Sequence, residues 1–327
     1  MNIYPENAII LAPLAGYTDM PYRRSCRRHG CYFAFTEMVD VGALIYSTRQ
    51  LKNPLERGSD ESWLGVQLVG CKPDEIIKAV EIINRYDFSV LDLNLGCPTP
   101  KVAKKGKGAG LARESDMAAF IAELMVKKSR FPVTAKIRIQ DTNNPELTVS
   151  LAKKLENVGI RALTVHGRIL DAIYSGPCHA DIISAVRKEL KIQVVANGGV
   201  VDLISYEKLK RESECGPVMV ARGAMGNPWL FEYLNGSRNS EPSTEELCKE
   251  METHFFELVD YYGEKATMKL SRKIILDYLE GRGYNSHLKC QVVKINSVDD
   301  FRRFMEDVHK GPVKRYLHEH FSEGTCC

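Results

Sequence analysis

The sequence predicts an α/β protein, a (β/α)8 TIM barrel followed by a small C-terminal helical domain. Short runs rich in Val, Ile and Leu recur through about the first 225 residues, and polar or glycine-rich turns bound each run, as is typical of buried parallel strands. Segments with helix start signals lie between these runs. This alternation favours a closed barrel over an open doubly wound sheet, which remains the alternative.

Eight strands are predicted in the barrel. They cover residues 8–13, 32–38, 64–69, 89–95, 133–139, 162–167, 192–198 and 217–223. Helices are expected to begin near Pro73, Ser115, Pro145 and Asp202, because proline and capping residues favour the first turn of a helix. No GxGxxG motif follows the first strand, which argues against a dinucleotide-binding half.

From about residue 241 onward the hydrophobic pattern becomes helical. One apolar stripe runs through Leu247, Met251, Phe255, Leu258 and Tyr262. Two further helices are predicted at 265–281 and 298–311, and both carry basic residues. We therefore divide the chain into a barrel domain at 1–240 and a helical domain at 241–327.

The composition of the 327 residues is that of a folded protein, with 44% hydrophobic and 27% charged residues. No apolar stretch is long enough to span a membrane, and the N-terminus MNIYPENAIILAP lacks the features of a signal peptide. We expect a cytoplasmic protein with no membrane contact and no obligate protein partner. The ten cysteines form no paired CxxC arrangement, so we expect free thiols and no metal site.

Positive charge is concentrated locally, although the net charge is only +3. Between residues 265 and 318 there are twelve Lys and Arg against six Asp and Glu. Lys269, Arg272 and Lys273 lie on one of the predicted helices there, and a second basic segment follows Cys97. A charged helix face is usually only solvated. Together, however, the two basic segments are consistent with a polyanionic ligand such as RNA.

Polar residues and glycines occupy the carboxyl ends of nearly all the predicted strands, where the active site of this fold lies. The residues at these ends include Gln67, Asn94, Cys97, Lys136, Arg138, His166, Arg168, Asn197, Gly198, Gly199, Ala221 and Arg222. The glycines after strands seven and eight, with Arg222, predict a phosphate site. His166 and Arg168 lie two residues apart on one strand face and can converge on one ligand.

Six motifs in chain order resemble those of the tRNA-dihydrouridine synthases. They are APLAGYTD (12–19), LNLGCP (93–98), KIR (136–138), VHGR (165–168), ANGG (196–199) and MVARGAMGNPWLF (219–231). The resemblance implies an FMN-dependent barrel enzyme whose C-terminal helical domain binds tRNA. In that family the flavin, reduced by NADPH, passes hydride to carbon 6 of a uracil, and a cysteine protonates carbon 5.

The resemblance also implies roles for individual residues. Cys97 is the expected acid, and Asn94 is expected to hold the target base. The residues expected around FMN are Pro13, Leu14, Ala15, Gln67, Lys136, His166, Asn197, Gly198, Gly199, Ala221 and Arg222. Further contacts with the substrate are expected from Arg138, Arg168, Lys269, Arg272 and Lys273. The chain departs from the family pattern at Gly199, where the family usually has Asp, and at 169–173.

The expected chemistry suits these residue types. A thiol with a pKa near 8.5 is mostly protonated at neutral pH and can act as the acid. Lysines beside the sulfur would lower this pKa by favouring the thiolate. We therefore expect Lys101, Lys104, Lys105 and Lys107 to point outward toward RNA phosphates. Lys136 can stabilise negative charge on a reduced flavin. The alternatives are a cysteine hydrolase with His166 as base, an FMN enzyme acting on a small pyrimidine or enone, and an inactive RNA-binding barrel.

Overall fold

The computed structural model describes residues 2–47 and 54–313. Within them, eight parallel strands form a closed barrel in sequential order, which confirms the predicted fold. The chain separates into two compact units, Met1–Arg23 with Gly30–Gly223, and Arg24–His29 with Ala224–Cys327. The domain boundary at 240/241 stays a prediction, and residues 314–327 of the predicted helical domain lie outside the described residues.

Each predicted strand corresponds to a strand of the barrel. The strands are β1 (Ile9–Leu11), β2 (Phe33–Asp40), β3 (Leu64–Val69), β4 (Val90–Leu95), β5 (Val133–Arg138), β6 (Ala162–His166), β7 (Gln193–Asn197) and β8 (Val218–Val220). Pairing of β1 with β8, with Ile10 opposite Met219, closes the barrel. The register of β2 against β3 shifts between Phe35 and Met38.

Helices follow the strands along the chain up to Gly223. They are α1 (Met20–Arg28), α2 (Val41–Tyr46), α3 (Pro73–Ile83), α4 (Pro100–Ala103), α5 (Ala109–Ala112), α6 (Ser115–Lys128), α7 (Pro145–Asn157), α8 (Ala180–Glu189) and α9 (Leu203–Ser213). Helix α9 starts with a capping box, in which Asp202 accepts from the amide of Ser205 and the Ser205 side chain accepts from the amide of Asp202. The predicted starts near Pro73, Ser115, Pro145 and Asp202 are therefore confirmed.

The barrel interior changes from apolar to polar along the strands. Its apolar part contains the buried side chains of Tyr4, Ala8, Ile10, Ala12, Phe35, Val90, Ala162, Val195 and Met219. Gly65 leaves room for the Phe35 ring, because a Cβ at this glycine would lie 2.4 Å from it. Further along the strands, alternate positions are polar: Asp92 and Asn94 follow Val90 on β4, and Asn197 follows Val195 on β7. The polar side chains therefore gather toward the carboxyl ends of the strands.

The second unit is helical and has its own hydrophobic core. Its helices after Gly223 are α10 (Leu230–Asn235), α11 (Thr244–Tyr262), α12 (Glu264–Leu279), α13 (Ser286–Gln291) and α14 (Val298–His309). The rings of Phe255 on α11 and Phe301 on α14 stack with centroids 3.6 Å apart. The predicted apolar stripe on α11 is buried at Leu247, Met251, Phe255 and Leu258.

Segment 24–29 is attached to this helical core through Glu250. The buried Glu250 carboxylate accepts hydrogen bonds from Ser25 Oγ at 2.7 Å and from Arg28 Nη2 at 2.7 Å. Burial alone would raise the pKa of Glu250, but hydrogen bonds from His29 and Arg28 lower it to about 2.

Among the described residues, no helix is both long enough and apolar enough to cross a membrane.

Candidate active site

Asn94 organises the turn that carries Cys97. Its Oδ1 accepts the backbone amides of Gly96 at 3.1 Å and Cys97 at 2.9 Å. Its Nδ2 donates to Gln67 Oε1 at 2.6 Å and lies 3.3 Å from Met38 Sδ. The Asn94 side chain therefore holds the end of β4 to β3 and fixes the backbone at Cys97, while its expected contact with a target base stays a prediction.

The Cys97 thiol is half-buried, and Gly108 lies against the backbone and Cβ of Cys97. Its Sγ donates to Thr99 Oγ1 at 3.4 Å, and its carbonyl accepts the amide of Ala109 at 3.2 Å. Gly108 has a φ of 57°, and a Cβ at this position would lie 3.0 Å from Cys97 Cβ. The backbone at Gly108 can approach the cysteine this closely because it has no side chain.

The lysines after Cys97 do not all behave alike. Lys101, Lys104 and Lys105 are exposed, as expected. Lys107 instead donates to Asp40 Oδ2 at 2.7 Å, and only 15% of its side chain is exposed. The expectation that Lys107 points outward is therefore wrong, because an acidic partner at the end of β2 attracts it. This ion pair joins the segment beside Cys97 to the start of α2.

Basic side chains gather at the carboxyl ends of β5 and β6. Lys136 Nζ donates to Asn197 Oδ1 at 2.8 Å. Arg168 Nη1 lies 3.4 Å from His166 Nε2, and its Nε donates to the carbonyl of Gly176 at 2.9 Å. Arg138 is buried and donates from Nε to the carbonyl of Gly96 at 2.8 Å, on the turn before Cys97. The sequence-predicted residues of these two strands are thus brought together.

The electrostatics of this basic cluster are unbalanced. Burial lowers the pKa of Lys136 to about 7, with Arg138 contributing, and lowers that of Arg138 to about 10. Burial and the surrounding cations, Lys136 first, hold the pKa of His166 far below its ordinary value, so the imidazole is neutral. Among the described residues, no carboxylate forms a salt bridge with Lys136, Arg138, Arg168 or Arg222. A buried excess of positive charge favours an anionic ligand.

The loops after β7 and β8 combine glycines with Arg222. Asn197 Nδ2 donates to the carbonyl of Met219 at 2.8 Å, which joins the two strand ends. Gly198 and Gly199 have φ angles of 129° and 75°, which other residues rarely adopt. A Cβ at Gly198 would lie 2.8 Å from both Cys178 Sγ and His166 Cδ2. Arg222 is exposed and begins a short 3-10 helix, whose first amides lack a partner within the helix.

The remaining predicted barrel residues lie at the same rim. Pro13, Leu14 and Ala15 follow β1; the first two are partly exposed and Ala15 is exposed, whereas Gln67 on β3 is fully buried. Leu14 and Ala221 pack against the apolar interior.

The predicted tRNA contacts of the helical unit lie on α12. Lys269 is exposed, whereas Arg272 is half-buried. Arg272 Nη2 donates to the carbonyl of Ile295 at 3.2 Å and to Asn296 Oδ1 at 2.9 Å, so this arginine ties α12 to the segment before α14. Lys273 is half-buried. Contacts of these residues with tRNA stay predictions.

Comparison with known proteins decides the family. Residues 10–311 match the family model described as Dihydrouridine synthase (Dus). The chain belongs to the dihydrouridine synthase family. It is 36% identical over 284 residues to tRNA-dihydrouridine synthase B of Pasteurella multocida, covering 84% of this chain and 85% of the relative. It is 35% identical over 301 residues to a probable tRNA-dihydrouridine synthase of Rickettsia conorii, covering 90% and 91%.

A solved structure supports the fold alone. Histamine dehydrogenase from Rhizobium sp. 4-9 superposes with a TM-score of 0.53 at 12% identity, covering 76% of this chain and 49% of that one. Dihydrouridine synthases are flavin-dependent oxidoreductases, and membership in the family assigns this chain to that class of enzyme.

Two residues of this dihydrouridine synthase site are not among those predicted from the sequence. The exposed ring of Tyr174 lies 5.4 Å from Arg138 Cζ and 4.6 Å from Arg222 Cζ, measured from the ring centroid. Asp92 is buried beneath Asn94 on the same face of β4. Asp92 could have been identified from the sequence, because side chains two residues apart on a strand lie on the same face. No local pattern around Tyr174 indicates that two arginines lie beside it.

Proposed function

We propose that the protein is an FMN-dependent tRNA-dihydrouridine synthase that uses NADPH as reductant and Cys97 as the acid. The observation that carries this proposal is the half-buried thiol after β4 together with the basic cluster of Lys136, Arg138 and Arg168 at the ends of β5 and β6, which forms no salt bridge with a carboxylate of the described residues. Family membership supports the reaction, and tRNA as its substrate.

The residues at the rim fit FMN. A phosphate requires backbone amides and cations, and Gly198, Gly199 and Arg222 supply both kinds of group. Lys136 would face the pyrimidine end of the isoalloxazine, where reduction adds negative charge. The neutral His166 imidazole would donate or accept one hydrogen bond without adding charge. When bound, FMN supplies the hydride that adds to carbon 6 of uracil.

Cys97 supplies the second hydrogen as a proton. Its Sγ–H bond breaks as a C–H bond forms at carbon 5 of the base, which leaves a thiolate to be reprotonated from solvent. Asn94 fixes the backbone of the cysteine through its bond to the Cys97 amide. The half-exposed position of the thiol leaves it open both to a base and to water.

The exposed lysines after Cys97 would bind tRNA phosphates. Lys101 on α4 and Lys104 and Lys105 directly after it are exposed in the segment that follows the thiol, and Lys269 is exposed on α12. A target base must leave its stack to reach the site, which costs a few kcal/mol, and phosphate contacts offset this cost. Affinity for tRNA should therefore fall steeply as salt increases.

The first test is spectroscopic. The purified protein should be yellow, and its flavin absorbance should bleach when NADPH is added without oxygen. A colourless protein that fails to bind added FMN would exclude the flavin.

The second test removes the thiol. Cys97→Ala should retain bleaching by NADPH but lose dihydrouridine formation in tRNA, measured by mass spectrometry of nucleosides. Cys290→Ala is the matched control, because Cys290 is an exposed cysteine on α13 and should be dispensable. Undiminished product from Cys97→Ala would remove the cysteine from the mechanism.

A further inference from the structure

A buried carboxylate without a role in the proposed chemistry lies beneath the Cys97 turn. Asp92 is on β4 and only 2% exposed. In the barrel register it is opposite Gln67 of β3 and Thr134 of β5. Burying a carboxylate costs free energy that an apolar side chain would not cost, so its presence calls for a physical reason.

Two hydrogen bonds satisfy this carboxylate. Thr134 Oγ1 donates to Asp92 Oδ1 at 2.6 Å, and Gln67 Nε2 donates to Asp92 Oδ2 at 2.7 Å. Burial raises the pKa of Asp92 to about 6, against the opposing effects of these two bonds and of Lys136. Each oxygen accepts one of the two hydrogen bonds, and these bonds favour the ionised form of the group.

A directed chain of hydrogen bonds leads from this carboxylate to Cys97. Gln67 turns its Nε2 toward Asp92, so its Oε1 is free to accept from Asn94 Nδ2 at 2.6 Å. Asn94 in turn presents Oδ1 to the amides of Gly96 and Cys97. The members of the chain lie on adjacent strands and on the turn that follows β4.

Asp92 fixes the direction of the chain at its buried end, and the Gly96 and Cys97 amides fix it at the other end. Because a carboxylate only accepts, a reversed Gln67 amide would place an oxygen against Asp92 and an N–H group against Asn94 Nδ2. Reversal of Asn94 to relieve that contact would leave the Gly96 and Cys97 amides without an acceptor, and an unpaired buried amide costs about 1–3 kcal/mol. A neutral amide at position 92 would impose no such direction, because it can present either an oxygen or an N–H group.

We propose that Asp92 is a positioning residue for Cys97: it fixes the orientation of the Gln67 and Asn94 amides and thereby holds the backbone turn that carries the thiol. The inference rests on the proposed function where it concerns catalysis, because the thiol is the acid only under that proposal. The effect on the geometry of the turn can be measured without turnover.

The test variant is Asp92→Asn, which keeps the shape and removes the charge. Its melting temperature should be unchanged or raised, since a buried charge is removed. Alkylation of Cys97 by iodoacetamide, followed peptide by peptide with mass spectrometry, should become several-fold faster. Reduction of tRNA uridine in a single turnover should slow by about tenfold to a hundredfold, as for small displacements of reacting groups.

Two controls belong to this experiment. Thr134→Val removes the other donor to Asp92. It leaves in place the hydrogen bonds that link Asp92 to Cys97 through Gln67 and Asn94, so Cys97 should be alkylated at the wild-type rate. The exposed Cys290 in the same samples reports the reactivity of the reagent itself.

A double variant tests the direction of the chain. In Gln67→Glu with Asp92→Asn the carboxylate moves to position 67, where it can accept both from the new amide and from Asn94 Nδ2. Asn94 then keeps its orientation, so alkylation of Cys97 should return to the wild-type rate. If the single variant does not fold, the double variant alone decides: the wild-type rate supports the inference, and a faster rate overturns it.

The inference is overturned if Asp92→Asn leaves Cys97 alkylation unchanged, or if the double variant is as fast as the single one. Failure of the proposed function looks different. In that case Cys97→Ala would still form product, whatever the alkylation rate of the Asp92 variants.

Discussion

Substitution of Gly108 by Ala should damage the site through one added methyl group. The Cβ would lie 3.0 Å from Cys97 Cβ, 3.1 Å from the Cys97 carbonyl oxygen and 3.3 Å from its nitrogen. Three contacts of this length against backbone and Cβ require a displacement of a few tenths of an ångström. Cys97 is the part that must move, because all three contacts are with this residue.

Gly106→Ala is the matched control, since it lies on the same loop. Gly106 also has a positive φ, 69°, but no atom lies within 4 Å of an added Cβ. Both substitutions put alanine at a positive φ, which costs about 1–2 kcal/mol in the free energy of unfolding at Gly106 and more at Gly108, whose ψ of −128° lies outside the left-handed helical region. Only Gly108→Ala also presses on the cysteine. Gly106→Ala therefore shows what a strained backbone in this loop does to turnover without the contact with Cys97.

The assay is a single turnover with reduced enzyme and tRNA, with dihydrouridine quantified over time. Gly108→Ala should slow product formation by about tenfold or more, because small displacements of a reacting group have effects of this size. Gly106→Ala should react at the wild-type rate, with a melting temperature lowered by about 2–8 °C. Equal rates for the two variants would refute the reasoning that the Gly108 backbone sets the position of the thiol.

Two further predictions concern charges on either unit. Lys107→Gln should lower the free energy of unfolding by about 1 kcal/mol and speed alkylation of Cys97. Lys105→Gln is the control, because Lys105 is exposed, and it should do neither. Equal alkylation rates for the two variants would show that the Asp40–Lys107 pair has no role at the thiol. Because the folded-state pKa of Glu250 is depressed to about 2, its contribution to stability is complete above the ordinary pKa of 4.5 and is lost as pH falls toward 2. Glu250→Gln should remove this loss, so the free energy of unfolding in urea should change less between pH 6 and pH 2.5, by at most about 3 kcal/mol. If the free energy of unfolding of the variant falls with pH as steeply as that of the wild type, the assignment to Glu250 is wrong.

The barrel and most of its rim could be predicted because both depend on short-range patterns. An apolar run of five or six residues predicts a buried strand wherever it occurs, and parallel topology then brings every carboxyl end to one side. Arg138, His166 and Asn197 are far apart in sequence but lie opposite one another in the register of β5, β6 and β7, so their proximity follows from the fold alone.

What the sequence could not predict depends on pairs that no local pattern records. The partner of Lys107 is 67 residues away, and a run of lysines gives no sign that one member is turned inward. Similarly, the bond from Ser25 to Glu250 spans 225 residues, so the grouping of segment 24–29 with the C-terminal helices is invisible to hydrophobic periodicity.

The charge balance of the rim links stability to binding. Among the described residues, Asp92 is the one buried carboxylate of the upper barrel, and it interacts electrostatically with Lys136. Burial and mutual repulsion already lower the pKa of Lys136 and of Arg138. An anion bound to this cluster would reverse that effect, and because it would bind only the folded chain, it would also raise the free energy of unfolding. The same unfavourable electrostatics that weaken the rim would thus contribute free energy to the binding of a phosphate.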